Sequence, residues 1–175
     1  QYGHTKGAGS MEFVHVELKR ETWIKPEMNV RCEEDAIMAV KKLIQNLDRE
    51  LVICVHIATS GRVINASICA MGTMDQAVIS PSEVMRTAIL SGAHGILMLH
   101  NHPSGCCKPS KEDLHVAKKL ATACALLGIQ LVDFIVVGAS GFTHSVRGYE
   151  AEWLSPSYEW INAEIVSSNS KKQEQ

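Results

Sequence analysis

No apolar run in this sequence approaches the ~20 residues that a membrane-spanning helix requires, and no signal-peptide pattern opens it. The six cysteines (Cys32, Cys54, Cys69, Cys106, Cys107 and Cys124) include no CxxC pair and no spacing of a secreted disulfide framework. Cys54, Cys69 and Cys124 fall in apolar segments and read as small buried hydrophobes. These absences predict a cytoplasmic protein with reduced thiols and no membrane partner. Basic clusters are scarce as well: the lysine doublets are Lys41-Lys42, Lys118-Lys119 and Lys171-Lys172, and the formal net charge is −2. A nucleic-acid partner is therefore not expected, because such domains concentrate positive charge on one face. Repeats and low-complexity tracts are also missing.

What is present is a chain of 175 residues, long enough for one domain with a real core. Residues 1–10 are small and polar and read as an expression scar outside the fold. Residues 11–148 read as one domain, and 149–175 as a tail, partly helical and then disordered. Phe13, Val14, Val16 and Leu18 predict a first strand over residues 12–21. Ile37, Val40, Ile44 and Leu47 recur at helical spacing, predicting an amphipathic helix over 33–48 with acidic residues in its first turn. Residues 51–58 form a β-branched apolar run. A turn at Thr59-Ser60-Gly61 and a strand through Val63, Ile64 and Ile68 follow, which together predict a hairpin.

Ser80-Pro81-Ser82-Glu83 predicts a helix start with Ser80 as cap and Glu83 closing a capping box; that helix ends at Gly92. Residues 95–99 read as a buried strand delivering His100. A loop over 101–109 leads to a helix over 110–127, stopped by Gly128. A strand over 130–137, a turn at 138–141 and a last strand near 142–146 complete the pattern. The alternation predicts a mixed α/β domain with one central sheet. In the tail, Trp153, Leu154, Tyr158, Trp160, Ile161 and Ile165 predict either a helix docked on the domain's own core or a partner surface, including a homo-oligomer contact.

His100 and His102 stand two apart at a strand end, so both rings point to one face. Asp113 follows in the first turn of a helix. Two imidazoles and a carboxylate are a common catalytic zinc set that leaves the fourth position for water. Such an ion lowers the pKa of its water toward neutrality and polarises a carbonyl. Taken apart, the pieces have plainer readings: Ser110-x-x-Asp113 is also a capping box. The whole string, His100-Asn101-His102-Pro103-Ser104-Gly105 followed by Pro109-Ser110-x-x-Asp113, is far more specific. It matches the JAMM pattern of His-x-His, seven residues, Ser, two residues and Asp.

The chain resembles the RadC-like branch of the JAB/MPN metalloprotease family, over about residues 23–145. The resemblance rests on that string and on Asp48-Arg49-Glu50, Met71-Gly72, Pro81-x-Glu83, Leu127-Gly128-Ile129, Asp133 and Ile135-Val136-Val137-Gly138. It implies a JAB/MPN-like, cytidine-deaminase-like sheet flanked by helices. It also implies Zn2+ held by His100, His102 and Asp113, with a peptide or isopeptide as substrate. Active members carry an upstream glutamate that takes a proton from the attacking water; Glu50, directly before the first apolar strand, is the candidate. Glu83 is nearer in sequence, but its capping position accounts for it. Ser110 is implied as an oxyanion donor, with helix capping as its plain role. Asp133 is read either as orienting a ligand histidine or as structural. The remaining histidines share no ligand spacing.

Ser82 and Phe134 depart from the branch, where arginine and histidine are usual, and Cys106 and Cys107 replace polar residues. Cys106 is read as loop filling, with metal binding as the alternative. Two further functions stay open: a DNA-repair-associated accessory protein, and a non-catalytic zinc-binding scaffold.

Overall fold

The computed structural model describes Lys19, residues 32–72 and residues 79–156. The strand expected over 12–21, apart from Lys19, lies outside the described residues, as do Tyr158, Trp160, Ile161 and Ile165 of the tail.

Helix α1 (Glu33–Ile44) buries Ala36, Ala39, Val40 and Ile44 and carries three acids in its first turn. It ends four residues before the 48 expected, because the chain turns at Gln45 and Leu47 to enter the sheet. Strands β1 (Leu51–Ile57) and β2 (Val63–Met71) pair antiparallel as the expected hairpin. Helix α2 (Pro81–Leu90) starts with proline at its first turn, but the expected capping box does not form. Ser80 Oγ bonds Ser82 Oγ at 2.7 Å, and Glu83 turns outward to Arg86 at 2.8 and 2.9 Å.

β3 (Gly95–Asn101) is buried along its whole length, and α3 (Lys111–Leu126) crosses over to β4 (Gln130–Val137), which lies parallel to β3. β5 (Thr143–Ser145), α4 (Val146–Tyr149) and a 3₁₀ turn (Ala151–Leu154) complete the described chain. The sheet order is β2-β1-β3-β4-β5, and only the β3/β4 pair is parallel.

Side chains alternate across this sheet and feed two cores. Val52, Cys54, Met98 and Val136 face α2 and α3, while Leu51, Ile53, Leu97, Leu99 and Ile135 face α1. Trp153 and Leu154 pack on the α2/α3 core, and Trp153 lies against His115, so this part of the tail docks on its own domain. Among the described residues no helix is long and apolar enough to cross a membrane.

Candidate metal centre

The site forms where β3 leaves the sheet. His100 is the last β3 residue paired with β1, opposite Val52. His102 lies just beyond the strand, and its N–H bonds Val137 O at 2.9 Å, so the chain swings toward β4. Both imidazoles stay on the α3 side, with ring centroids 4.8 Å apart, edge to face.

Asp113 reaches them from the first turn of α3. Its Oδ1 is 3.5 Å from His100 Nε2 and its Oδ2 is 3.2 Å from His102 Nε2. Two donors held ~2.0–2.1 Å from one zinc ion at tetrahedral angles stand about 3.3–3.4 Å apart. The observed 3.5 and 3.2 Å, to the two oxygens of the Asp113 carboxylate, are close to that separation, so this donor set is compatible with such an ion. Glu50, directly before β1, also comes close. Ligand atoms of Glu50, His100 and His102 all lie within 4.8 Å of one another. Nitrogen and carboxylate donors in this number suit zinc.

Second contacts orient these groups. His102 Nδ1 donates to Cys106 O at 2.9 Å, which leaves Nε2 facing Asp113. Ser110 caps α3: its hydroxyl accepts from Asp113 N at 3.1 Å, and its N–H and Oγ–H each donate to Asp113 Oδ2 at 2.7 Å. The capping box thus also aims the carboxylate. His100 Nδ1 is buried without a hydrogen-bond partner among the described residues.

Burial drives the His100 pKa down to about 4, outweighing the attraction of Asp113, so His100 is neutral at physiological pH. The hydrogen bond to Asp113 raises His102 against the effect of burial. Burial alone would raise Asp113, but hydrogen bonds from His102 and Ser110 bring it to about 2. A neutral imidazole and an ionised carboxylate are the forms that bind a metal.

For the other residues singled out in the sequence, the plainer readings hold. Asp133 is buried but does not reach a histidine; it accepts from Phe134 N, Ser145 Oγ and Arg147 N, and so ties β4 to the start of α4. Glu83 stays on the surface with Arg86. Among the described residues the grouping of ligand atoms within 4.8 Å holds Glu50, His100 and His102; Cys106, Cys107 and Asp113 are not in it, and Asp113 alone of these three contacts both histidines. What Cys106 contributes is its backbone carbonyl, which no side-chain pattern reveals. Gly138, read in the sequence only as part of the resemblance and of a turn, also packs against this loop. A Cβ there would stand 2.4 Å from Gly105 O and 3.0 Å from Cys107 N, so only glycine lets the loop 102–107 close on β4.

A sequence profile described as RadC-like JAB domain matches residues 30–151, which include every strand and every site residue above. The chain belongs to the RadC-like JAB family. A UPF0758 protein of Actinobacillus pleuropneumoniae serotype 5b (strain L20) is 33% identical over 144 residues, 78% of this chain and 66% of the relative. One of Listeria monocytogenes serotype 4b is 37% identical over 130 residues, 73% of this chain and 58% of the relative. Another, of Rubrobacter xylanophilus, is 37% identical over 124 residues, 71% and 54% respectively. The chain therefore spans between about half and two thirds of the length of these curated relatives. Membership of the RadC-like JAB family accounts for the mixed five-stranded sheet flanked by helices.

Proposed function

We propose that this chain is a zinc-dependent hydrolase acting on an amide bond, in a peptide or isopeptide substrate. The observation that supports the reading is the Glu50, His100 and His102 cluster, with Asp113 in contact with both histidines. His100, His102 and Asp113 would hold the ion, which supplies a water of near-neutral acidity and a Lewis acid for the scissile carbonyl. Glu50 is the general base that takes the water's proton and returns it to the leaving amine. Cys106 O keeps the His102 ring in one tautomer. Ser110 first aligns Asp113, and donation to the developing oxyanion requires its hydroxyl to turn away from Oδ2.

Purified protein is expected to bind about one zinc per chain, and His102→Ala to lose it. Glu50→Gln should keep zinc at saturating metal but lower amide hydrolysis by about 10²–10⁴-fold. Full hydrolysis by Glu50→Gln on a metal-requiring substrate would show that the base is another group. Salt-sensitive DNA binding without amide hydrolysis would instead favour a nucleic-acid role.

A further inference from the structure

The β1/β3 ladder ends one residue before the site needs it. Val52 and His100 are its last pair, after which His102 hydrogen-bonds across to Val137 on β4. Backbone N–H and C=O groups stranded in the interior are costly, so something must satisfy the β1 groups left behind. Asn101 does so with its side chain. Its Oδ1 accepts from Leu51 N–H at 2.7 Å, and its Nδ2 donates to Arg49 O at 3.0 Å. A main-chain N–H only donates and a main-chain carbonyl only accepts, so these partners fix which way the amide points.

Arg49 and Leu51 are the residues on either side of Glu50. The amide therefore bridges the backbone around Glu50 as a peptide group of a paired strand would. On the opposite side, Gly72 N–H donates to Glu50 O at 2.9 Å. Glu50 is thus gripped from both neighbouring strands, and its side chain, by alternation with Leu51, falls on the His100 face. Asn101 itself is 1% exposed, and by alternation with His100 its side chain leaves the strand on the opposite face. Among the described residues its amide bonds Leu51 N–H and Arg49 O and neither histidine ring.

We propose that Asn101 is a positioning residue: by clamping Arg49 and Leu51 it sets where the Glu50 carboxylate stands relative to His100 and His102. This inference rests on the zinc reading of the site. It also explains how a strand can part from its neighbour at the site, leaving room between Glu50 and His102, without Glu50 becoming loose.

The test is a double-mutant cycle on zinc affinity, measured by chelator competition, with the visible spectrum of the cobalt-loaded protein as a second readout. Glu50→Gln should weaken zinc binding by about 10–100-fold, as loss of a group close to the ligands does. Asn101→Ala should reproduce part of that loss and shift the cobalt spectrum in the same direction. Added to Glu50→Gln, it should cost less than about 2-fold more, because its effect passes through Glu50. A general loosening of the fold would weaken zinc equally in both backgrounds. Full additivity, or an Asn101→Ala protein indistinguishable from the parent, overturns the proposal. Should Asn101→Ala not fold, Asn101→Ser, which keeps one hydrogen-bonding group, is carried through the same cycle. A parent chain that takes up neither zinc nor cobalt overturns the zinc reading itself, whereas zinc uptake with an additive cycle removes only the role of Asn101.

Discussion

Burial favours the neutral form of an imidazole, and His56, His100 and His102 meet that pressure differently. His102 has Asp113 beside it and gains basicity, whereas His100 stays neutral despite the same neighbour. His56 is 1% exposed, bonded through Nδ1 to Asn65 Oδ1, with Thr87 Oγ1 at 3.2 Å from Nε2. Burial lowers its pKa from the ordinary 6.5. The unfolded chain then binds a proton that the fold resists. His56 therefore costs no stability above the unfolded value, and stability falls as pH drops below it toward the lowered folded value. His100, lowered to about 4, acts in the same direction in metal-free protein. With chelator present, urea unfolding at about pH 7.5 and about pH 5.5 should show a smaller acid loss for His56→Gln than for the parent. Equal losses would remove His56 from the account. Legibility at this scale divides by chemistry. His100, His102, Ser110, Asp113 and Glu50 stood out because the motif is written in their side chains. The Cys106 carbonyl did not, because every residue carries one.

At the scale of elements, the loop 102–107 owes its shape to packing on the end of β4. Gly105 N bonds His102 O, Ala139 N bonds Gly105 O, and the Gly138 backbone sits against Gly105 and Cys107. Gly138→Ala places a methyl group into backbone atoms that cannot turn aside. It should destabilise the fold by about 1–3 kcal/mol and weaken zinc binding, since the displaced loop carries the Cys106 carbonyl that orients His102. Thermal unfolding and chelator competition measure the two effects; an unchanged zinc affinity would show that the loop is not what sets the His102 ring. Ser110→Ala removes a helix cap worth about 1 kcal/mol and the hydroxyl that aims Asp113. It should lower zinc affinity as well as stability, and loss of hydrolysis alone would point to the oxyanion role. Most elements were legible because their signals are local: helical spacing in α1, proline at the start of α2, and Gly128 at φ +68 after α3. The Ser80 capping box was not, because Ser82 and Arg86 compete for Ser80 and Glu83.

Across the whole molecule, the candidate centre lies at the C-terminal end of the parallel pair β3/β4, where open α/β sheets bind their ligands. Nothing local in the sequence orders the strands β2-β1-β3-β4-β5, since pairing partners are chosen by long-range packing and not by the residues of any one run. That order is what brings Glu50, directly before β1, near His100 on β3, fifty residues away in the chain. Asp113 comes from α3, on the crossover between β3 and β4. A zinc ion bound at this point would join three elements that come together only in the folded state, and the unfolded chain would offer no equivalent site. Binding must then stabilise the fold by linkage, by about 2.7 kcal/mol at a free zinc concentration of about 100 Kd. For a domain of this size that raises Tm by about 5–10 °C. Calorimetry with and without zinc should show the rise in the parent, a reduced one in Ser110→Ala at equal zinc, and none in His102→Ala. An equal rise in His102→Ala would place the stabilising zinc on other side chains, and no rise in the parent would mean that these elements already hold their geometry without binding an ion there.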